Sequence, residues 1–160
     1  MSQDTVHPGR RTAHIDGDFV VFLIGIRFNK LWKVRSWIGP FRAMPRMLSD
    51  LRAHPEKGLL GVRMAMGGRT ITLVQYWRSF EQLEAFARNT DDPHLESWRA
   101  FNRAVGGNGD VGIFHETFRV AAGDHESVYV NMPVMGLAAA GESVQLGRGR
   151  DTARTRLSRR

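Results

Sequence analysis

Residues 19–29 read FVVFLIGIRFN, and this stretch decides the fold. Taken at period two, Val20, Phe22, Ile24, Ile26 and Phe28 form one unbroken apolar face. The alternate residues, Phe19, Val21, Leu23, Gly25, Arg27 and Asn29, form a second face, apolar at one end and polar at the other. A strand washed by water on one side alternates apolar with polar residues, whereas one that is apolar on both sides is covered on both. The spacing therefore predicts a central strand that packs helices on one face and lines a cavity with the other.

Working outward, Leu31, Trp32, Val34 and Ile38 recur at helical spacing, Gly39-Pro40 interrupts them, and Met44, Met47, Leu48 and Leu51 resume. Two short helices or one kinked helix satisfy this pattern. Leu59 to Met66, a Gly67-Gly68 turn and Arg69 to Trp77 then read as a hairpin, since glycine enters positive φ without a steric penalty. Ser79 with Gln82 has the spacing of a capping box and opens a helix over Phe80, Leu83 and Ala87. Asp92-Pro93 starts another, with Leu95, Trp98, Phe101 and Val105 as its buried stripe. Residues 106–109 read GGNG; they follow that helix and end it, so they are no phosphate loop. A last long strand is expected from about Asp110 to Val120, and Ser127 to Val130 offers a short fifth. The order strand, helix, strand, strand, helix, strand is that of a ferredoxin-like α+β fold, with a four- to five-stranded antiparallel sheet and helices on one face. A second copy docked on the open face would cover Phe19, Val21 and Leu23, so a homodimer is expected.

Composition narrows the function. The 160 residues suit one domain, with 42% hydrophobic content for a core. There is no cysteine, so disulfides and thiolate metal sites are excluded. The run from Phe19 to Ile26 is far short of the roughly 20 residues of a membrane span, and the N-terminus lacks a signal-peptide pattern. A cytoplasmic protein is the expectation. Of the formal charge of +7, residues 141–160 hold +4, through six arginines against Glu142 and Asp151. The domain is accordingly bounded at residues 10–140, with 141–160 a basic, unstructured tail that attracts nucleic acid only weakly and non-specifically.

The chemistry-bearing residues fall on the strands. His115 is the only histidine expected inside a strong strand; His7, His14, His54, His94 and His125 lie at termini, in loops or in a first helical turn. The last strand places Val111, Ile113, His115, Thr117 and Arg119 on one face, here assigned to the side opposite the helices. On that assignment His115 joins Arg27 and Asn29 around the cavity, as a base whose developing substrate anion the other two stabilise. Trp32, Gln75 and Trp77 are the expected substrate contacts. Trp32, Trp37, Trp77 and Trp98 otherwise read as core or interface.

The stretches DFVVFLIGIRFNKLWKV, FRAMPRML, GGRTITLVQYWRSFEQLEAFAR, HLESWRAFNRAVGGNGDVGIFHETF and VYVNMPVMGL together resemble the domain of unknown function 4188 family, across roughly residues 10–140. That family is grouped with a fungal monooxygenase of fumagillin-type biosynthesis within the dimeric α/β-barrel superfamily. The resemblance implies a dimeric barrel and a monooxygenase-like enzyme acting on a hydrophobic small molecule. No resident cofactor is favoured; haem, with His115 as its ligand, is the alternative, because the superfamily also holds haem-containing aldoxime dehydratases. A non-catalytic small-molecule-binding or stress-related dimer would use the same cavity without turnover.

Overall fold

The computed structural model describes residues 5–89, 107–147, 149 and 151–157, with the side chains of residues 36, 39–43 and 46 outside the description. Two antiparallel sheets organise the chain. The larger is built from β2 (Phe19–Phe28), β3 (Leu59–Gly67), β4 (Thr70–Trp77) and β5 (Val111–Val120), in the spatial order β3-β4-β2-β5. Helices α1 (Val34–Ala53) and α2 (Phe80–Arg88) connect its strands, completing the βαββαβ order read from the sequence. The stripe expected at Leu95, Trp98, Phe101 and Val105 lies outside the described residues.

One helix, α1, runs through Gly39, Pro40 and Pro45, so the single-helix alternative holds. A 3-10 turn (Pro55–Lys57) leads into β3. The hairpin loop is Gly68-Arg69, one residue later than the diglycine reading, because Gly67 pairs with Thr70. Gly68 has φ +57, as the first loop position of a tight hairpin requires. Ser79 caps α2, its Oγ accepting from Gln82 N at 3.1 Å. The reciprocal half of the capping box is not made: Gln82 Nε2 donates instead to Glu56 O at 3.1 Å and ties α2 to the 3-10 turn.

The side chains of Val20, Phe22, Leu59 and Trp77 pack beneath Met47 and Leu51 of α1 and Leu83 and Phe86 of α2. Further along the sheet, Ile26, Phe28, Ile71 and Val111 form a second cluster with Trp37 and Ile113. The apolar face of β2 that begins at Val20 is therefore the helix-side face, and the one that begins at Phe19 is the open face.

Part of that open face is covered from within the chain. A smaller sheet, ordered β6-β1-β7, is made of β1 (His7–His14), β6 (Tyr129–Met132) and β7 (Glu142–Gln145), and a short helix α3 (Leu137–Ala140) sits with it. Ala13, Leu137 and Ala138 bury Phe19 to 3% exposure, with Val21, Tyr76, Val120 and Tyr129 packed around them. Two expectations are corrected here. The strand anticipated near Ser127–Val130 pairs with β1 instead of extending the main sheet. The tail taken as unstructured from residue 141 begins with a strand, because Glu142–Gln145 completes the backbone pairing of β1 and Arg11 holds it, donating to Ser143 Oγ at 2.8 Å and Ser143 O at 2.6 Å. A final helix, α4 (Ala153–Leu157), is anchored by Arg156 on Glu126 at 2.7 Å. Among the described residues no helix is long and apolar enough to cross a membrane.

Candidate functional site

Residues opposite one another on paired strands share a face of the sheet. His115 pairs with Ile24, one step of two from Phe22 on the helix-side face, and its ring lies 5.9 Å from that of Phe22. The assignment of His115 to the side opposite the helices is therefore wrong: Arg27 pairs with Gly112 and Thr70, at odd offset, and looks the other way. The reason is legible in β2 itself, whose two faces are both apolar enough to receive the helices, so the pattern alone could not choose between them.

The six anticipated residues separate into three groups. His115, Gln75 and Trp77 lie on the helix-side face. Gln75 stands opposite Phe22 and is 2% exposed, Trp77 stands opposite Val20 and is fully buried, and Trp77 Nε1 donates to Gln75 Oε1 at 2.9 Å. The Trp77 ring also lies 5.3 Å from that of Phe86. Arg27 and Asn29 form a second group that borders Gly112 at the far end of the open face. Asn29 is engaged structurally, with Nδ2 donating to Gly109 O at 3.2 Å and its backbone carbonyl accepting from Arg69 Nη1 at 3.2 Å. Lys30 closes the same corner on Asp110 at 2.7 Å. Trp32 belongs to neither group; it is 72% exposed in the turn before α1.

His115 is exposed, and it makes no hydrogen bond among the described residues. Thr117 and Arg119 continue its row along β5, opposite Phe22 and Val20. What this face offers is an apolar floor with an accessible imidazole at one side and a buried amide at the other. A separate cleft of about 410 Å³ opens between the 3-10 turn and α2, lined by Glu56, Lys57, Gln82, Arg88 and Phe86. Phe86, packed against Trp77, stands between that cleft and the core.

The packing between the two sheets brings together titratable groups that sequence reasoning passed over. His125 stacks edge-on against Phe19, with ring centroids 5.2 Å apart, and its Nδ1 is buried without a partner. Burial, with a smaller effect of His14, holds its pKa below the ordinary histidine value. Tyr76 lies beneath Gly136 beside Tyr129, and burial raises its pKa, with Tyr129 acting in the same direction and Arg63 opposing. Of these only Tyr129 falls in the VYVNMPVMGL segment, which carries no strong periodicity; Tyr76 lies on β4, and His125 lies in the loop before β6. Among the described residues no three His, Asp or Glu side chains stand together as a metal centre would need.

The fold and this face together define a ferredoxin-like α+β protein, with its accessible imidazole on the helix side of the sheet. Residues 19–137 match the model of the monooxygenase af470-like family, and the chain belongs to that family. It is similar to Monooxygenase af470 of Aspergillus fumigatus, 34% identical over 145 residues, in an alignment covering 77% of this chain and 50% of that protein. The chain thus spans half the length of this curated relative. Its fold is similar to that of an aldoxime dehydratase crystallised in complex with butyraldoxime, with a TM-score of 0.66 and 17% identity over 84% of this chain and 39% of that one.

Proposed function

We propose that this chain oxidises a hydrophobic small molecule seated on the helix-side face of the sheet, with His115 as the proton acceptor. The observation that carries the reading is the accessible His115 imidazole set against the Phe22 ring on the helix-side face. A substrate with an acidic C–H gives its proton to the imidazole, and the resulting carbanion adds dioxygen. Loss of water from the hydroperoxide leaves a carbonyl, so one oxygen atom enters the product, the other leaves as water, and all electrons come from the substrate. General-base assistance of this kind is worth about 10²–10⁴-fold in rate.

The reaction so written requires no resident cofactor. Haem is a poorer fit to the donor set, because an imidazole bound to metal ordinarily passes its second N–H to an acceptor, and His115 has none among the described residues.

The same reading includes a homodimer formed across what remains of the open face. With Phe19 and Val21 covered by the chain itself, the free apolar residues are Leu23, Phe114 and Phe118, the last two 36% and 50% exposed. Arg63 on β3 and Glu116 on β5 occupy one row across this face, at opposite edges, through Val74 and Leu23. Neither makes an ion pair among the described residues. A two-fold axis along the strands would set Arg63 of each copy over Glu116 of the other, which is the charge complementarity that favours a second copy as the occupant.

The test of the enzymatic reading is dioxygen uptake by the purified chain with a panel of anthrones and polycyclic phenols, followed by mass spectrometry under ¹⁸O₂. Incorporation of one labelled atom into product is expected. Binding of panel members with no uptake would overturn the enzymatic reading in favour of a non-catalytic small-molecule-binding protein.

A further inference from the structure

Residues 27–35, where β2 leaves the main sheet and α1 begins, read RFNKLWKVR, with four cations and no acid. The turn between the two elements shows its apolar side chains to solvent. Leu31, Trp32 and Val34 are all exposed, Trp32 the most at 72%. Hydrogen bonds fasten this turn: Lys33 N donates to Lys30 O at 3.1 Å, Trp37 Nε1 donates to Leu31 O at 3.2 Å, and Lys30 Nζ is fixed on Asp110 at 2.7 Å. Trp37 turns in against Phe28, with ring centroids 5.1 Å apart, while Trp32 is held outward. A tryptophan left in water forgoes one of the largest burial gains a side chain offers, and grouped exposed apolar residues ringed by polar ones mark an interaction site.

The ring here is cationic. The β3–β4 hairpin loop closes beside the turn, with Phe28 N donating to Arg69 O at 2.8 Å and Arg69 Nη1 to Asn29 O at 3.2 Å, and it adds the exposed Arg69 and Met66 to the same end of the sheet. Lys30 is neutralised by Asp110. Arg27, Lys33, Arg35 and Arg69 are exposed and stand outside any ion pair among the described residues.

We propose that this end of the main sheet docks on an anionic phospholipid bilayer, with Trp32, Leu31 and Val34 entering the headgroup layer and the four cations lying against the lipid phosphates. The combination selects the partner. A neutral apolar protein surface would match the tip and leave the cations facing nothing, and nucleic acid would match the cations and leave the tip in water. An indole, apolar but for one N–H, favours the boundary between headgroups and acyl chains. Attachment of this kind adds the apolar area buried to the attraction of each cation for the charged surface. Docking at the surface requires no spanning helix, and the described residues contain none. The inference is independent of the enzymatic reading, and a hydrophobic compound dissolved in the bilayer would meet the chain at this end.

The test is co-sedimentation of the full chain with vesicles of phosphatidylcholine containing phosphatidylserine, and with vesicles of phosphatidylcholine alone. Binding to the anionic vesicles is expected, weakening as salt rises, with little binding to the neutral ones. Lys33→Gln and Arg35→Gln should each lower affinity by about fivefold, and Trp32→Ser should lower it as well. Trp32→Phe should keep most of the binding while removing tryptophan quenching by brominated lipid. These side chains are exposed, so circular dichroism of the unbound variants should match wild type. Absence of binding, or equal binding to the neutral vesicles, would overturn the proposal. Binding that survives both Trp32→Ser and the double variant Lys33→Gln, Arg35→Gln would assign it to the arginines of residues 148–160 and refute the docking surface. So would a Trp32→Ser variant that binds vesicles normally but dissociates a wild-type dimer in light scattering, which would make the patch a contact between copies.

Discussion

Gly25 occupies a mid-strand position because the Phe114 ring of the neighbouring strand lies over it, where a β-carbon would stand. This is how a glycine becomes tolerable in a central strand: an aromatic from across the ladder supplies the missing cover. Gly25→Ala should destabilise the chain by about 1–3 kcal/mol through overpacking, and Phe114→Ala in the same chain should recover part of that loss. Denaturant unfolding of the two single variants and the double variant would check this; additive losses would show that the two residues do not share the site. His125 gives a second expectation at this scale. Its pKa is depressed by burial, so the folded chain prefers the neutral ring while the unfolded chain takes up a proton near pH 6.5. Its contribution to stability is whole above about pH 6.5 and is lost as the pH falls through the lower, folded value. His125→Phe, which keeps the stacking on Phe19, should flatten the decline of Tm between pH 7 and pH 5; an unchanged decline would place the titration elsewhere.

At the scale of elements, the strands and the α2 cap were readable because their signals are local: period-two alternation in β2, β4 and β5, a glycine at the hairpin loop, and Ser79 three residues before Gln82. The smaller sheet was not. Its central strand, HPGRRTAH, buries only Thr12 and Ala13, and it is a strand because β6 and β7 satisfy its backbone on both edges, which no apolar pattern announces. The site suffered the same ambiguity one level up. His115, Gln75 and Trp77 were recognisable as strand residues with useful chemistry, but the face they occupy depends on which side of β2 the helices choose. Removal of residues 142–160 takes away β7 and exposes an edge of β1, and should lower stability by about 2 kcal/mol, several degrees in Tm. Ending the chain after Gly147 keeps β7 and loses the exposed Arg10–Asp151 pair, worth about 1 kcal/mol or less, together with the more buried Arg156–Glu126 pair. Equal melting temperatures for the two truncations would show that β7 does not hold the small sheet.

For the whole molecule, the two faces of the main sheet divide the proposed work between association and chemistry. On the proposed dimer, Leu23, Phe114 and Phe118 of the open face would serve association, so Phe118→Asp should shift the protein from dimer to monomer in light scattering. Charge reversal at Arg63 alone should weaken the dimer, and simultaneous reversal of Glu116 should restore it. A wild-type monomer at micromolar concentration would refute the dimer without touching the helix-side site. That site is tested most directly by comparing dioxygen uptake in His115→Ala and Arg27→Ala, which alter residues on opposite faces of the same sheet. The helix-side account expects His115→Ala to lose about 10²–10⁴-fold in rate with its fold intact, and Arg27→Ala to stay within about twofold of wild type, the ordinary effect of a residue remote from the chemistry. Loss of turnover in Arg27→Ala with His115→Ala unaffected would contradict it and move the chemistry to the open face.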